Sequence, residues 1–336
     1  MEASDARISR MTPRDRREVE RHPTMVIGVR KNENERCAHP DTMGTDRGAM
    51  QMLEEETMAR RQSAFAKKKM LLNDIQLTGL VLFPVAFLGT FFNWTAVFVI
   101  YKLPSFRHAF GYLSSSQAFA DAIHSTVFML YFCPMVITGS EFLTEYSEHC
   151  GFILLFSYEL SVQTHLIISM NRFFAVWAPY KYKIMFSDRN TKIIIFLIFI
   201  LTLGFSFTFY EVLCSLEYSQ KTGFFFFTDT PLCNAIGWYA DFCKYLTIII
   251  IIVILDISTI WKVRSINKKV RTSVDLQTTH RMSAKEINFL KQTIFQGFIF
   301  ALELVSYFIL PAHLSNKWAI FFSTSFAWVT VHALDG

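Results

Sequence analysis

Seven stretches of this chain are apolar for long enough to cross a lipid bilayer, and no other feature limits the fold so sharply. A hydrocarbon core of about 30 Å takes roughly 20 apolar residues of helix. The stretches run at about 77–101, 111–138, 150–177, 192–213, 236–260, 289–312 and 318–336. Backbone amides and carbonyls inside lipid have no water to bond, so each stretch must satisfy them internally, which at this length means a helix. The expected fold is all-α, a seven-transmembrane helix bundle over 77–336. The last stretch reaches Gly336 after about nineteen residues, some 28 Å of helix, and is expected to be truncated.

Composition agrees. Hydrophobic residues make up 52% and charged residues 18%, too little polar surface to cover a body in water. Residues 1–70 differ: Arg, Asp, Glu and Lys alternate there without periodicity and with few large apolar side chains. Such a segment cannot bury enough surface to offset its ordering entropy and is expected to be a disordered charged tail. It holds no apolar core of signal-peptide length.

The net charge of +5 does not point to nucleic acid, because the basic residues are partitioned by loop. Lys102 and Arg107 follow the first stretch; Lys181, Lys183, Arg189 and Lys192 follow the third; Lys262, Arg264, Lys268, Lys269, Arg271, Arg281 and Lys285 follow the fifth. The alternate loops hold only Lys221 and Lys317, with Glu141, Glu145 and Glu148 in the first of them. Lys and Arg accumulate on the cytoplasmic side, so the amino terminus is expected outside, against the local signal of Lys67, Lys68 and Lys69.

At 100° per residue, Cys150, Leu154, Tyr158, Ser161, His165, Ile168 and Arg172 share one stripe of the third stretch, which must face protein. Glu159 falls opposite and is a poorer candidate for ligand contact than Tyr158. In the second stretch Gln117, Asp121, Ser125, Phe128 and Phe132 share a face, placing a carboxylate near mid-membrane, where an ionisable group marks function. Trp238, Phe242 and Tyr245 in the fifth stretch, with Tyr158, Tyr307 and Phe308, form a candidate apolar ligand pocket. Asn93 opens a formal glycosylation sequon but lies deep in the first stretch, and is read as a packing residue; Gly89, a turn earlier, permits close helix approach.

The run His165–Tyr182, HLIISMNRFFAVWAPYKY, resembles the end of the third helix in rhodopsin-like receptors, where an Asp-Arg-Tyr triplet precedes a proline. Asn171, Arg172 and Phe173 stand in place of the triplet, with Pro179 after them, so the acidic counter-charge beside the arginine is missing. More specifically, the chain from about residue 77 onward resembles the nematode serpentine receptors of class x. The matching segments are GTFFN (Gly89–Asn93), SSSQAFAD (Ser114–Asp121), YFCPM (Tyr131–Met135), HLIISMNRF (His165–Phe173), FQGFIF (Phe295–Phe300) and HALDG (His332–Gly336).

That resemblance implies a rhodopsin-like chemosensory G-protein-coupled receptor in the plasma membrane, with a small environmental or pheromone-like molecule and a heterotrimeric G protein as partners. Arg172 with Asn171, Phe173, Lys268 and Lys269 is then the coupling surface. Asn93, Asp121 and Asp335 would form a polar network able to hold water or sodium. Cys150 is expected to pair with Cys233, with Cys214 as the competing partner. In amine-binding receptors an Asp stands eighteen positions before the arginine; here that position is Leu154, so a biogenic amine is not the expected ligand.

Other classes find little support. The six cysteines show no CxxC pair and no zinc spacing. No HExxH, GxSxG or phosphate-cradling glycine loop occurs, so neither an enzyme nor a cofactor is implied. A transporter would carry internal repeats and interrupted helices, which are not visible. A channel of opposite orientation and a receptor remnant that no longer signals are the two further readings compatible with seven apolar stretches.

Overall fold

A computed structural model describes residues 58, 73–220, 223–272 and 284–335. Apart from Met58, the expected disordered tail over 1–70 lies outside the described residues, as does the loop residue Arg281. From Met70 onward the chain forms one unit. Its long helices are α1 (Asp74–Lys102), α2 (Ala109–Thr138), α3 (Ser147–Trp177), α4 (Asp188–Val212), α5 (231–272), α6 (Ala284–Ile309) and α7 (317–335). The first six contain windows long and apolar enough to cross a membrane, and α7 lies beside α1, α2 and α6. The chain is a multi-pass membrane protein.

Starts of these helices are set by local chemistry. Asn73 and Gln76 form a capping box on α1, Ser187 Oγ accepts from Asn190 N at the start of α4, and Asn316 Oδ1 accepts from Trp318 N at 2.9 Å at the start of α7. Burial ranks the helices. The most apolar window of α3 is 72% buried and that of α4 only 17%, so α3 is the central post and α4 an outer stave. Phe83, Phe87, Phe91 and Phe98 of α1 and Phe196, Leu201 and Phe207 of α4 are exposed. Lipid is the only solvent that suits such surfaces.

Among the described residues, four helices contain a widened π turn: Phe128–Phe132 in α2, Thr208–Val212 in α4, Ile236–Cys243 in α5 and Phe322–Phe326 in α7. In α2 the cause is legible. Pro134 has no amide hydrogen to give the preceding turn, and i→i+5 bonding just before it accommodates the loss.

One element departs from the helical expectation. The α4–α5 connection folds into an antiparallel hairpin, β1 (Leu216–Tyr218) and β2 (Phe225–Phe227), with Leu216 opposite Phe227 and Tyr218 opposite Phe225. Leu216, Tyr218 and Phe225 are buried, so the hairpin turns an apolar face onto the bundle. Gly151 lets it settle on α3: a Cβ there would stand 2.1 Å from the Leu216 carbonyl oxygen. Tyr218 N donates to Ser147 Oγ at 3.2 Å and Gln220 Nε2 to Thr144 Oγ1 at 3.1 Å. Burial pushes the Tyr218 phenol up to about 12, so it stays neutral at physiological pH.

Hairpin closure also decides the cysteine pairing and corrects the expected Cys150–Cys233 bridge. The disulfide is Cys214–Cys233, with the two Cα atoms 5.3 Å apart. Pairing of β1 with β2, extended by Thr228 N donating to Ser215 O at 3.0 Å, brings the two ends of the hairpin together. Thr230 caps the single turn that carries Cys233. Cys150 is instead a buried free thiol in the main apolar core.

Candidate functional site

Beneath the hairpin lies a narrow cavity of about 20 Å³, room for about one water molecule. Tyr158 of α3, Tyr307 and Phe308 of α6 and Trp328 of α7 form aromatic walls, and Leu216 and Phe227 of the hairpin form the roof. Tyr307 holds that roof directly, its hydroxyl donating to the Phe225 carbonyl at 2.9 Å. Two carboxylates complete the lining, Asp241 of α5 and Glu303 of α6, each only 5% exposed.

The six aromatic residues expected at a pocket divide here. Tyr158, Tyr307 and Phe308 line the cavity, and Phe242 packs on Phe308 with ring centroids 5.2 Å apart. Tyr245 is fully buried behind them, donating to Glu159 Oε2 at 2.6 Å. Trp238 does not join the pocket; it is 45% exposed and stacks on the outside of Phe242. The π turn explains this. Regular 100° spacing puts Trp238, Phe242 and Tyr245 on one face, but an i→i+5 turn over Ile236–Cys243 breaks the phase between them and leaves Asp241 buried. Tyr210 Oη reaches the carbonyl of Ala240 in that turn at 3.3 Å.

Glu159 is not among the residues that line the cavity, whereas Tyr158 is. Placed opposite the Arg172 stripe, it is nonetheless 3% exposed, because α5 covers that side of the central helix. Its carboxylate accepts from Lys244 Nζ as well as from Tyr245, and the Lys244 ammonium sits 4.0 Å from the Phe205 ring centroid and 4.2 Å from that of Tyr245. A cation–π pair of this kind in a dry setting is worth about 2 kcal/mol.

One layer deeper is a polar centre joining α1, α2, α3 and α7. Asp121 Oδ1 accepts from Ser161 Oγ at 2.8 Å and meets His332 Nδ1 at 2.7 Å. Asn93 Nδ2 donates to the backbone carbonyl of His332 at 3.0 Å, and Gln117 donates to Asp335. Asn93 and Asp121 are therefore linked through His332, while the hydrogen-bond partner of Asp335 is Gln117. The His124 ring lies 4.1 Å from that of His332 and bonds Ser157 Oγ at 3.1 Å. Close approach of α1 here depends on Gly89, where a Cβ would stand 2.7 Å from Ala333 Cβ and from Ser125 Oγ. Among the described residues no group of three or more His, Cys, Asp or Glu is placed to hold a metal ion.

At the opposite end, where the basic loops lie, Arg172 finds the counter-charge that Asn171 does not supply. Arg172 Nη1 is 3.8 Å from Asp256 Oδ2 of α5, a carboxylate with no exposed surface. The guanidinium also lies 5.7 Å from the centre of the Phe110 ring. Asn171 is buried, Phe173 stacks on Trp177 at 5.7 Å, Trp177 stacks on Trp261 at 6.2 Å, and Lys262 Nζ sits 4.6 Å over Trp177. Lys268 is exposed on α5, and the side chain of Lys269 lies outside the described residues.

A family model described as the serpentine type 7TM GPCR chemoreceptor Srx matches residues 83–336. Serpentine receptor class X 45 of Caenorhabditis elegans is 31% identical over 278 residues, covering 78% of this chain and 77% of the relative. Serpentine receptor class X-43 of the same organism is 24% identical over 275 residues, covering 78% and 82%.

Proposed function

Because the chain belongs to the Srx family of serpentine seven-transmembrane chemoreceptors, we propose that it binds a small environmental or pheromone-like molecule in the cavity under the hairpin and signals to a heterotrimeric G protein at the Arg172 end. In this reading the amino terminus and hairpin face the outside of the plasma membrane, and the basic loops face the cytoplasm. The family is one of receptors, and we assign the chain no catalytic step.

The observation that carries the proposal is that one pair of helices holds both ends. On α3, Tyr158 lines the cavity and Arg172 lies about four turns below it. On α5, Asp241 lines the same cavity and Asp256 holds Arg172. A ligand that changes how α3 and α5 sit together at the cavity acts on the same interface that restrains Arg172. It shifts the equilibrium only by the difference in its binding free energy between the two arrangements. Asn171, Phe173, Lys268 and Lys269 border the surface that a G protein would meet.

Replacing Arg172 with Ala in cells expressing the receptor tests this reading. Ligand-driven G-protein activation is expected to disappear while surface expression, read by an epitope tag ahead of α1 on unpermeabilised cells, is retained. Retained signalling sinks the coupling assignment, and a tag reached only after permeabilisation sinks the orientation.

A further inference from the structure

A far larger space than the cavity beneath the hairpin lies between α6 and α7, a crevice of about 630 Å³. That is the size of a small-molecule site. On α6 its lining runs from Gln296 to Leu310, about 21 Å of helix at 1.5 Å per residue. Leu302, Leu310, Phe322 and Leu334 line it and are exposed, so the crevice opens on the lipid-facing side of the bundle. Phe300, Val331 and Glu303 line it and are buried.

Apolar walls alone gain nothing for a guest drawn from the bilayer, because acyl chains are as apolar as leucine. Selectivity has to come from polar atoms, and the lining carries three that are buried without a hydrogen-bond partner: Glu303 Oε2, Thr330 Oγ1 and Asp335 Oδ1. Asp335 has Gln117 on its other oxygen. Neighbouring side chains do find partners within the bundle. Thr324 Oγ1 donates to the Ile320 carbonyl at 2.7 Å, and Ser306 Oγ bridges from α6 to the Ser323 carbonyl of α7 at 2.8 Å. Glu303 lies one turn from that bridge and is only 5% exposed. An unmet acceptor at this depth is costly, since hydrocarbon offers it no donor. No lining residue is basic, so an anion would find no counter-charge. A guest arriving through lipid also pays heavily for any net charge. What fits is a neutral hydrogen-bond donor on an apolar body.

We propose that the α6–α7 crevice binds a neutral, membrane-dissolved alkyl alcohol, its chain lying along the two helices and its hydroxyl donating to Glu303 Oε2. The site is additional to the ligand cavity assigned above and does not depend on it. Glu303 lines both spaces, so the hydroxyl of the guest meets an acid that also borders the cavity beneath the hairpin.

The test is photolabelling of the full-length receptor in phosphatidylcholine vesicles with a hexadecanol that carries a diazirine in its chain, followed by peptide mapping. Competitors are hexadecanol, its methyl ether, which keeps the oxygen but cannot donate, and hexadecane. Labelling is expected to concentrate in peptides covering 296–310 and 319–335. Hexadecanol is expected to displace it at about tenfold lower concentration than the ether or the alkane, the worth of one hydrogen bond in lipid. Ala327→Phe, which fills the crevice, is expected to remove the labelling, and Glu303→Met to remove the preference for alcohol over ether. The unfolding temperature of each variant without probe reports whether it folds.

Equal displacement by the ether or by hexadecane overturns the hydrogen bond and with it the inference. Labelling as strong on the exposed faces of α1 and α4 shows that there is no site. Labelling that survives in folded Ala327→Phe, or an alcohol preference that survives in folded Glu303→Met, overturns it as well. The competitor series needs no variant, so it decides the matter even where a variant fails to fold. The readout is binding in a vesicle, so a failure of ligand-driven signalling leaves it unmoved.

Discussion

The contact between Arg172 and Asp256 predicts that Asp256→Asn raises signalling in the absence of ligand. The pair is separated by 3.8 Å, with the Asp256 side chain fully buried and that of Arg172 only 13% exposed. At about 4 Å and an effective dielectric near 20, two unit charges attract by about 4 kcal/mol, part of which the cost of burial offsets. Asparagine keeps the shape of the aspartate and one acceptor oxygen, so the loss lies below the roughly 3–5 kcal/mol of a fully broken buried pair. A loss of about 1.5–3 kcal/mol from the resting arrangement alone moves its equilibrium with the active one by about ten- to a hundredfold.

A receptor with about 0.1–1% of its molecules active at rest then has at least about tenfold more. The measurement is ligand-free G-protein activation by a second-messenger reporter, normalised to surface-tagged receptor. A double variant, Asp256→Asn with Arg172→Ala, separates release of Arg172 from general loosening: its basal signal is expected to fall to background. Unchanged basal signalling at equal surface density refutes the restraint, and a double variant that still signals refutes the role given to Arg172.

Three further outcomes follow from particular contacts. Non-reducing peptide mapping is expected to recover Cys214 linked to Cys233; Cys150→Ser should leave folding intact, whereas Cys214→Ser should lower the unfolding temperature, since closing a loop of this length is worth about 3 kcal/mol. Gly151→Ala forces the hairpin off α3 by way of the Leu216 carbonyl, and is expected to open the cavity roof and speed proteolysis between residues 216 and 227. Lys244→Met leaves Glu159 with Tyr245 and Gln163 but without its counter-charge and is expected to cost about 3 kcal/mol in detergent stability; adding Glu159→Gln should recover most of it, and an additive cycle would show that the pair does not interact.

The seven helices are legible in the sequence because lipid leaves the backbone no other way to satisfy its hydrogen bonds, and composition alone registers that constraint. The Arg172 stripe is legible for a related reason. α3 is a regular helix from Ser147 to Trp177, so 100° spacing carries Tyr158 and Arg172 correctly along its length. What covers each face is not legible from the helix itself. Glu159 looks outward on the wheel of α3 and is buried only because α5 crosses that side, bringing Lys244 and Tyr245 with it. The counter-charge of Arg172 is hidden in the same way, eighty-four positions away on another helix. The hairpin escapes notice because four consecutive phenylalanines, Phe224–Phe227, read equally as strand or as membrane segment.

The misplaced pocket residues share one physical cause. All four π turns lie at the hairpin end of their helices: the last part of α2 and α4, the first part of α5 and α7. Within that layer a regular wheel misplaces side chains, which is why Trp238 is predicted inward and Asp241 is not predicted at all. Toward the basic loops α3 and α5 are regular, and the wheel carries Arg172 onto the stripe of Tyr158. An extra residue in a turn costs helical hydrogen bonding and is retained where it aims a side chain that regular spacing cannot. In α5 it does this for a carboxylate at the cavity, while Tyr210 takes up a carbonyl in the loosened turn. Under the proposed function, the regular helices below would pass on only what changes in the way α3 and α5 lie against each other, and Arg172 with Asp256 would be the polar contact that reads that change.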